Sequence, residues 1–246
     1  MGEKWFSWIF KKIFLKKLEK NILPVFYKKK PRRPLSKKQK SILNCSLKKF
    51  LLNKNHLDKK KKFLEIGFGY GENLINLSKK NKEKLIIGCE IYEPGITNLV
   101  ENIERVNLKN IKIYPKNIFS LFNILKKNSI EKIFILYPDP WPKKKHFKRR
   151  LISKNLLKKL NKVLKLNGEI FISTDSEDYL YKILFEFFLN KNFFWINNKV
   201  TNCYKRPNEI VETKYEKNAN LKKNKKFYLK FKKICWRINF KRLDYI

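Results

Sequence analysis

Hydrophobic positions follow two spacings along most of the chain. Short apolar runs predict five strands, which cover residues 63–66, 85–91, 111–114, 132–137 and 169–173. Apolar residues at helical spacing fill the intervals and predict helices at 72–80, 94–106, 118–127, 150–165 and 177–190. Strands that alternate with helices of this length are typical of a parallel sheet with helices on both faces.

The pattern changes after residue 190. Apolar runs at 193–196 and 227–237 predict two late strands, and the interval between them has no convincing helical pattern. Two strands without a crossover helix are typical of an antiparallel hairpin, which we expect at one edge of the sheet. The sequence therefore predicts an α/β fold with a seven-stranded, mostly parallel sheet. Because we find no repeat or linker, we expect a single domain over residues 41–246.

Residues 1–40 differ from this pattern and are predicted to form a basic, partly flexible extension. Lysines soon interrupt the apolar cluster within the first 26 residues, so a secretory signal is not indicated. The apolar spacing suits one face of a helix, which either packs on the protein or a partner or lies on a membrane surface. Residues 27–40 carry Pro31 and Pro34 among basic residues and are typical of a solvated arm.

The composition of the 246-residue chain excludes several classes of protein. Apolar residues make up 43% and aromatic residues 15%, more than an intrinsically disordered chain contains. No apolar run reaches the roughly 18 to 20 residues that span a bilayer. The four cysteines lie far apart and the chain has only two histidines, so we expect reduced thiols, no metal site and a cytoplasmic location.

The formal net charge of +39 has two sources. Enrichment in Lys, Asn and Ile is typical of an AT-rich genome and accounts for part of the excess. The remainder is clustered, because residues 28–40, 143–150 and 222–233 hold eight, six and seven basic residues. Such clusters indicate a polyanionic partner, most simply a nucleic acid, with acidic membrane surfaces as the alternative.

The first strand ends in a glycine-rich turn, Glu65-Ile66-Gly67-Phe68-Gly69-Tyr70-Gly71. Alternating glycines let a turn pass close under a ligand and still start a helix. The spacing is GxGxG rather than the GxGxxG of dinucleotide sites. The carboxylate of Glu65 favours a cationic ligand such as S-adenosylmethionine over a pyrophosphate. A purely structural turn is the alternative.

Two further polar residues follow the next strands of the predicted sheet. Glu90 ends the second strand, where a carboxylate can accept both hydroxyl protons of a ribose. Asn117 follows the third strand and is placed to meet an adenine edge. A solvated loop glutamate and an ordinary turn asparagine are the alternatives.

The fourth strand ends in the segment Tyr137-Pro138-Asp139-Pro140-Trp141-Pro142-Lys143. Three prolines stiffen the backbone around Asp139, because each fixes φ near −65°. A basic run, residues 143–150, follows at the mouth of the predicted site. A rigid aspartate beside a tryptophan indicates a reaction centre rather than a simple turn, and methyltransferases that act on exocyclic amines use a similar strand end.

Five segments carry a specific combination of motifs. They are LEIGFGYGE at 64–72, GCEIYEPG at 88–95, YPDPWPKKKHFKRRLI at 137–152, STD at 173–175 with Tyr179, and TKYE at 213–216. In this order, spread over residues 28–236, they resemble the tRNA (guanine-N7-)-methyltransferase family. That family belongs to the class I S-adenosylmethionine-dependent methyltransferases, so the resemblance implies a Rossmann-like fold.

The resemblance implies S-adenosylmethionine as cofactor and tRNA as substrate. It implies cofactor or reaction-centre roles for Glu65, Gly67, Gly69, Glu90, Asn117 and Asp139, and substrate contacts for Lys143, Asp175, Thr213, Lys214, Tyr215 and Glu216. Asn117 stands where many members carry Asp, and its oxygen can still accept from the adenine amine. The residues after Glu216 lack the Arg-Gly of many members, and residues 1–26 match no part of the family that we can identify.

The implied reaction is methylation of guanine N7 in tRNA, at position 46 of the variable loop. N7 carries a lone pair and no proton, so the transfer needs alignment of the reactants rather than a base. A carboxylate can accept hydrogen bonds from guanine and stabilise the arriving charge. Asp139 or Asp175 can do so, and we favour the rigid Asp139 as the catalytic residue. The alternatives are a non-catalytic RNA-binding protein and an exocyclic-amine methyltransferase. We expect a monomer or weak homodimer.

Overall fold

The computed structural model describes residues 33–58, 61–197 and 199–235. They contain one seven-stranded sheet in the order β3-β2-β1-β4-β5-β7-β6. The strands are β1 (Lys62–Ile66), β2 (Leu85–Cys89), β3 (Ile111–Tyr114), β4 (Ile130–Leu136), β5 (Leu164–Thr174), β6 (Phe193–Trp195) and β7 (Phe227–Lys233). Strands β1 to β5 are parallel, whereas β7 runs antiparallel to both β5 and β6. The predicted mostly parallel sheet with an antiparallel edge hairpin is therefore confirmed.

Helices flank the sheet on both faces. They are α1 (Lys37–Ser41), α2 (Leu47–Phe50), α3 (Glu72–Lys80), α4 (Glu93–Val106), α5 (Ile118–Leu121), α6 (Lys154–Val163), α7 (Glu177–Phe188) and α8 (Lys214–Leu221). A π-helical turn, Ile42–Ser46, joins α1 to α2. Within the described residues, every helix is too short or too polar to cross a membrane.

The core consists of two apolar clusters, one on each face of the sheet. Successive strand residues point to opposite faces, so Leu64 lies in one cluster and Phe63 in the other. Helices α5, α6 and α7 contribute buried residues to the cluster of Leu64, whereas α3 and α4 contribute to that of Phe63. This double cover explains why the central strands are apolar along their whole length.

Local signals explain where the longer helices begin and end. The hydroxyls of Ser153 and Ser176 accept hydrogen bonds from backbone N–H groups in the first turns of α6 and α7. Pro94 lies in the first turn of α4, and Asn107 ends that helix in the left-handed conformation with φ 53°. The cap at Ser153 also explains why α6 begins at Lys154 rather than at residue 150.

Several predicted boundaries were wrong. The helix predicted at 118–127 is the single turn α5, and β5 begins at Leu164, inside the predicted helix 150–165. Helix α8 lies in the interval where no helix was predicted, because its polar surface leaves little apolar periodicity. The final strand ends at Lys233 rather than at residue 237, and residues 236–237 lie outside the described residues.

The start of the domain differs from the division at residue 40. That residue lies inside a continuous helical segment, residues 37–50. The chain then meets the edge of the sheet, where the backbone N–H of Leu52 donates to the carbonyl of Ile113 at 2.9 Å. The predicted apolar helix face lies outside the described residues, as do residues 27–32 of the arm, so the extension stays a prediction.

The strand order places a crevice at the carboxyl end of the sheet. The chain leaves β1 toward β2 and β3 on one side and reaches β4 and β5 on the other. At such a reversal the loops after the two central strands diverge, and ligands of open α/β sheets bind there. The loops in question contain the glycine-rich turn after β1 and the proline-rich segment after β4.

Candidate active site

The turn after β1 is built on three glycines with positive φ. Gly67, Gly69 and Gly71 have φ values of 73°, 58° and 87°, a region that side chains disfavour. A Cβ added at Gly67 meets no atom within 4 Å, so this backbone faces open space. A Cβ at Gly95, in α4, would lie 2.0 Å from the carbonyl oxygen of Gly69. The turn therefore packs closely against α4 on one side, and its other side is open.

Glu65 lies at the end of β1 beneath this turn. Its side chain is buried, and its Oε2 accepts a hydrogen bond from Nδ2 of Asn73 at 3.0 Å. Burial is the main cause that raises the pKa of Glu65 to about 8; the hydrogen bond from Asn73 opposes the rise, and the negative charges of Glu72 and Glu90 add to it. A buried carboxyl of this kind gains strongly from a cationic partner.

Glu90 is held by three backbone N–H groups. Its Oε2 accepts from Gly69 at 2.9 Å, and its Oε1 accepts from Ile91 at 2.7 Å and from Tyr92 at 2.9 Å. Burial raises the pKa of Glu90, while these hydrogen bonds oppose the rise. The side chain thus joins the end of β2 to the glycine-rich turn, in one fixed orientation.

Asn117 begins α5. Its Oδ1 accepts the backbone N–H of Phe119 at 2.8 Å, so the oxygen assigned to adenine also caps the helix. A carbonyl oxygen has two lone pairs and can accept a second hydrogen bond. The adenine contact therefore stays a prediction, with an acceptor whose direction the helix fixes.

The segment after β4 has a constrained backbone around Asp139. Tyr137 and Trp141 both occupy the left-handed region, with φ 50° and 44°, on either side of the Pro138–Pro140 core. The carbonyl of Pro140 accepts a hydrogen bond from Nε of Arg150 at 2.7 Å. Asp139 itself is exposed, as a residue that meets a substrate must be. The segment holds one carboxylate rigidly at the crevice.

Asp139 lies near the other carboxylate and a tyrosine of the site. Burial raises the pKa of Tyr215, and the negative charges of Glu90 and Asp139 raise it further. The charge of Asp139 also adds to the raised pKa of Glu90, after the larger effect of burial. The ends of β2 and β4 and the start of α8 therefore converge on one site.

Arg150 closes the basic run but does not belong to its exposed surface. Its side chain is buried, stacks over Phe147 at 3.8 Å and forms an ion pair with Asp178. Tyr179 holds the chain just after Arg150, because its hydroxyl accepts the backbone N–H of Ile152 at 3.0 Å. Residues 143–150 were expected to form a basic run at the mouth of the site, but the last of them is buried and supports the loop of Asp139.

Replacing Arg150 with leucine should destabilise the protein. The variant leaves the carbonyl of Pro140 without its buried donor, which costs about 1 to 3 kcal/mol. Urea unfolding measures this free energy, and the neighbouring exposed Lys148→Leu serves as the control, with little change expected. Equal unfolding free energies for Arg150→Leu and the unaltered chain would contradict the assigned support role.

The four residues of TKYE open helix α8. The hydroxyl of Thr213 accepts the N–H of Glu216 at 3.3 Å and caps the helix. Lys214 places its Nζ 4.0 Å from the ring centre of Tyr70, and its N–H donates to Glu72 at 3.3 Å. This segment therefore lies on the glycine-rich turn rather than apart from it.

Tyr215 packs directly on the turn. Its Cε2 lies only 2.5 Å from the position of a Cβ added at Gly69, so no larger residue fits there. Gly69 is thus required twice, for its positive φ and for the close approach of the ring. This second requirement was not foreseen from the sequence, because it depends on a residue 146 positions later in the chain.

Glu216 is part of a buried polar network. Its Oε1 accepts the hydroxyl of Tyr228 at 2.5 Å and lies 3.4 Å from Arg206. The hydroxyls of Tyr137 and Tyr228 are 3.5 Å apart, which links α8 and β7 to the loop of Asp139. Sequence reasoning missed Tyr228 and Arg206, because neither belongs to a recognisable motif.

The remaining predicted substrate residues, Asp175 and Lys143, lie at the edge of the crevice. Asp175 follows β5, and one of its oxygens accepts the Asn224 amide at 2.9 Å. Lys143 is exposed at the start of the basic 3-10 turn, Lys144–Arg149. In the described parts of the chain, the contacts bring together Glu65, Gly69, Glu90, Tyr215 and, through the tyrosines, Glu216. The charge of Asp175 acts on Tyr137, one of these tyrosines, whereas Asn117 and Lys143 are not joined to the group.

The residues of this crevice fit S-adenosylmethionine. That molecule carries a positive sulfonium, an ammonium group and ribose hydroxyls, and the crevice offers the carboxyl groups of Glu65 and Glu90 beside the open backbone of Gly67. Glu65 suits the ammonium, because a cation relieves the cost of its buried charge. Glu90 suits a ribose hydroxyl, because its Oε2 accepts one hydrogen bond here and has a second lone pair. Among the described residues, no cluster of His, Cys, Asp and Glu is suited to a metal ion.

Comparison with known proteins identifies relatives over most of the chain. A protein-family model described as "Putative methyltransferase" (Methyltransf_4) matches residues 59–229. A tRNA (guanine-N(7)-)-methyltransferase of Jannaschia sp. (strain CCS1) is 34% identical over 183 residues, with 72% of this chain and 77% of the relative covered. Another from Buchnera aphidicola subsp. Baizongia pistaciae (strain Bp) is 38% identical over 178 residues, with 72% and 73% covered.

A third relative is much longer. A "Bifunctional methyltransferase" of Rickettsia prowazekii (strain Madrid E) is 38% identical over 207 residues, which are 82% of this chain and 39% of that protein. The chain thus spans less than half of the Rickettsia protein that it matches. The predicted cofactor, S-adenosylmethionine, is the one that the matched family uses. By its family model and these relatives, the chain belongs to the tRNA (guanine-N7-)-methyltransferase family.

Proposed function

We propose that the protein methylates guanine N7 of tRNA at position 46 in the variable loop, with S-adenosylmethionine as methyl donor. The observation that supports this best is the convergence of Glu90, Asp139 and Tyr215 on the glycine-rich turn. One part of this site suits a cationic cofactor, and the other presents a rigid carboxylate to a base. Membership of the family supplies the choice of base and nucleic acid.

The chain's own residues contribute binding and alignment rather than proton transfer. Guanine N7 has no proton to lose, so no general base is required. When bound, S-adenosylmethionine supplies an activated methyl group. Glu65 and Glu90 hold the ammonium and the ribose, and Asn117 accepts from the adenine amine. Alignment of two reactants can supply about 7 to 11 kcal/mol of the barrier.

Asp139 acts on the base. Guanine presents two donors, N1–H and the 2-amino group, which one carboxylate can accept together. The same negative charge stabilises the positive charge that develops on the purine ring. The prolines and the Arg150 bond to Pro140 hold this loop in place before the base arrives.

The basic run after Asp139 is the proposed contact with the tRNA backbone. Lys143, Lys145 and Lys148 are exposed on the 3-10 turn or just before it. The turn also carries Arg149, whose guanidinium lies 4.9 Å from the ring centre of Trp141. Cations beside a half-buried aromatic ring are suited to phosphates and unpaired bases.

Replacing Lys143, Lys145 and Lys148 with alanine should weaken tRNA binding and its dependence on salt. Each lost phosphate contact lowers the slope of log K against log salt by about 0.7 to 0.9. The matched control replaces three exposed lysines outside this loop, namely Lys127 ahead of β4 and Lys158 and Lys162 on α6. Filter binding over a salt series measures both. Equal slopes in the two triple variants would place the RNA elsewhere.

The proposed reaction has a distinctive product. N7-methylguanosine carries a fixed positive charge, and its site in tRNA is cleaved after borohydride and aniline treatment. We expect tRNA incubated with the protein and S-adenosylmethionine to be cut at position 46. Methyl groups found only on exocyclic nitrogens would favour an exocyclic-amine methyltransferase instead. tRNA binding without any methyl transfer would favour a non-catalytic RNA-binding protein.

We also propose a cytoplasmic protein that works as a monomer or a weak homodimer. The four cysteines support the first part, since all of them are free thiols, two buried and two exposed. Sedimentation of the protein at several concentrations tests the second part. The accompanying roles of Gly67, Lys143, Asp175 and the TKYE residues are part of the same proposal.

A further inference from the structure

Asn73 has contacts in two parts of the site. It lies in the first turn of α3, directly after the glycine-rich turn, and its side chain is completely buried. Its Nδ2 donates to Oε2 of Glu65, and its Oδ1 accepts the backbone N–H of Val211 at 3.4 Å. One amide group thus connects the end of β1 to the segment that leads into α8.

The segment before α8 is fixed along the whole of α3. Lys80, at the end of α3, donates to the carbonyl of Asn208 at 3.3 Å, and Glu72, at its start, accepts the N–H of Lys214. Both of these bonds are exposed to solvent, where hydrogen bonds and ion pairs contribute little. The bond from Val211 to Asn73 is partly buried, because the Asn73 side chain is inaccessible to solvent, so water competes with it less than with the other two.

We propose that Asn73 is a positioning residue that couples the cofactor carboxylate Glu65 to the substrate helix α8. The inference rests on the proposed function, in which Glu65 faces the cofactor and α8 the tRNA. A ligand that fixes Glu65 also fixes the amide of Asn73, and with it the backbone at Val211. Ordering of α8 is then partly complete before tRNA binds, and the same coupling acts in reverse.

The coupling is measurable without turnover. S-adenosylhomocysteine is what remains of S-adenosylmethionine after its methyl group has been transferred. It still carries the ammonium group and the ribose. Calorimetry gives its Kd for the full chain with and without saturating tRNA, and the ratio of the two is the coupling factor. We expect a factor of about 5 or more in the unaltered protein, within the usual range for linked sites. A factor of one in the unaltered protein overturns the proposal.

Two substitutions separate the two contacts of Asn73. Asn73→Leu has a similar volume and removes both, so the coupling factor should fall to about one. Asn73→Asp keeps an acceptor for Val211 but loses the donor to Glu65. Because the charged groups that face Glu65, namely Glu72 and Glu90, are also acidic, this variant should bind S-adenosylhomocysteine only at higher pH. An unchanged pH dependence in Asn73→Asp counts against the link to Glu65.

A second asparagine, the half-buried Asn110, provides the control. Asn110 donates through Nδ2 to the carbonyls of Ser78, Asn81 and Lys84, near the opposite end of α3. Asn110→Ala should lower thermal stability and leave both the coupling factor and the pH dependence unchanged. If Asn73→Leu does not fold, the pH dependence of S-adenosylhomocysteine binding by Asn73→Asp still tests the link to Glu65. A coupling factor in Asn73→Leu equal to that of the unaltered protein overturns the proposal.

Failure of the proposed function is distinguishable from failure of this inference. If the unaltered protein neither binds S-adenosylhomocysteine nor methylates guanine N7, the function itself is wrong. If it does both while Asn73→Leu retains full coupling, the function stands and only the positioning role is lost.

Discussion

Asp139→Ala should reduce turnover by about 100-fold or more while changing S-adenosylhomocysteine affinity by less than about threefold. The loss of one positioned electrostatic group in a reaction centre typically has an effect of this size. Asp139 is exposed at the crevice, and its loop is fixed by Tyr137, Trp141 and Arg150 rather than by the carboxylate itself. Its removal therefore leaves the loop in place and takes away only the partner of the base.

Two further variants separate charge from shape. Asp139→Asn keeps the size of the side chain and one acceptor but removes the negative charge, so its turnover should lie near that of Asp139→Ala. Asp58→Ala serves as the control. It removes an exposed ion pair with Lys126 and should leave turnover unchanged. Single-turnover methylation of tRNA measures the rate, and calorimetry measures the affinity. A parallel loss of both quantities in Asp139→Ala would assign Asp139 to cofactor binding instead.

The sheet was largely predictable, because burial on both faces leaves strands with continuous apolar runs. β1, β2 and β3 lie within a residue or two of their predicted positions. Helix α8 was missed for the opposite reason, since most of its surface is polar and its position depends on contacts with Gly69, Glu72 and the residues around Asn73. Local pattern carries no information about such contacts.

The candidate site shows the same division. Its motif residues lie at strand ends and helix starts. Because they are close together in the sequence, the sequence alone was enough to identify them. The residues that support them act across long separations, as Tyr228 does for Glu216 and Asn73 does for Val211. Arg150 is the clearest error, because its charge suggested a contact with RNA whereas its burial assigns it to the loop of Asp139. Charge alone does not distinguish a solvated arginine from a buried one.

Glu65→Gln should abolish most cofactor binding and at the same time stabilise the protein at high pH. The pKa of Glu65 is raised from an ordinary 4.5 to about 8, chiefly by burial. Between these two values the folded protein holds a proton that the unfolded chain has lost, so stability falls as the pH rises through this window. The fall is on the order of 1 kcal/mol for each pH unit. Glutamine cannot ionise and still accepts from Asn73.

The stabilisation should therefore grow with pH. Thermal unfolding at pH 5.5 and 8.5 compares the two proteins, and for a chain of this length each kcal/mol corresponds to about 2 to 4 °C in Tm. The Tm of Glu65→Gln should exceed that of the unaltered protein by several degrees at pH 8.5, with a much smaller difference at pH 5.5. A constant difference would mean that Glu65 does not titrate in this window.

Cofactor affinity should depend on the same protonation of Glu65. A cationic ammonium needs the ionised carboxylate, so the affinity of the unaltered protein for S-adenosylhomocysteine should rise about tenfold from pH 6 to pH 7. In Glu65→Gln the affinity should be at least about tenfold weaker at pH 7, and its dependence on pH over this range should be lost. Calorimetry at the two pH values tests both statements. Tight binding by Glu65→Gln would show that the buried carboxyl is a structural element of the turn and that the ammonium has another partner.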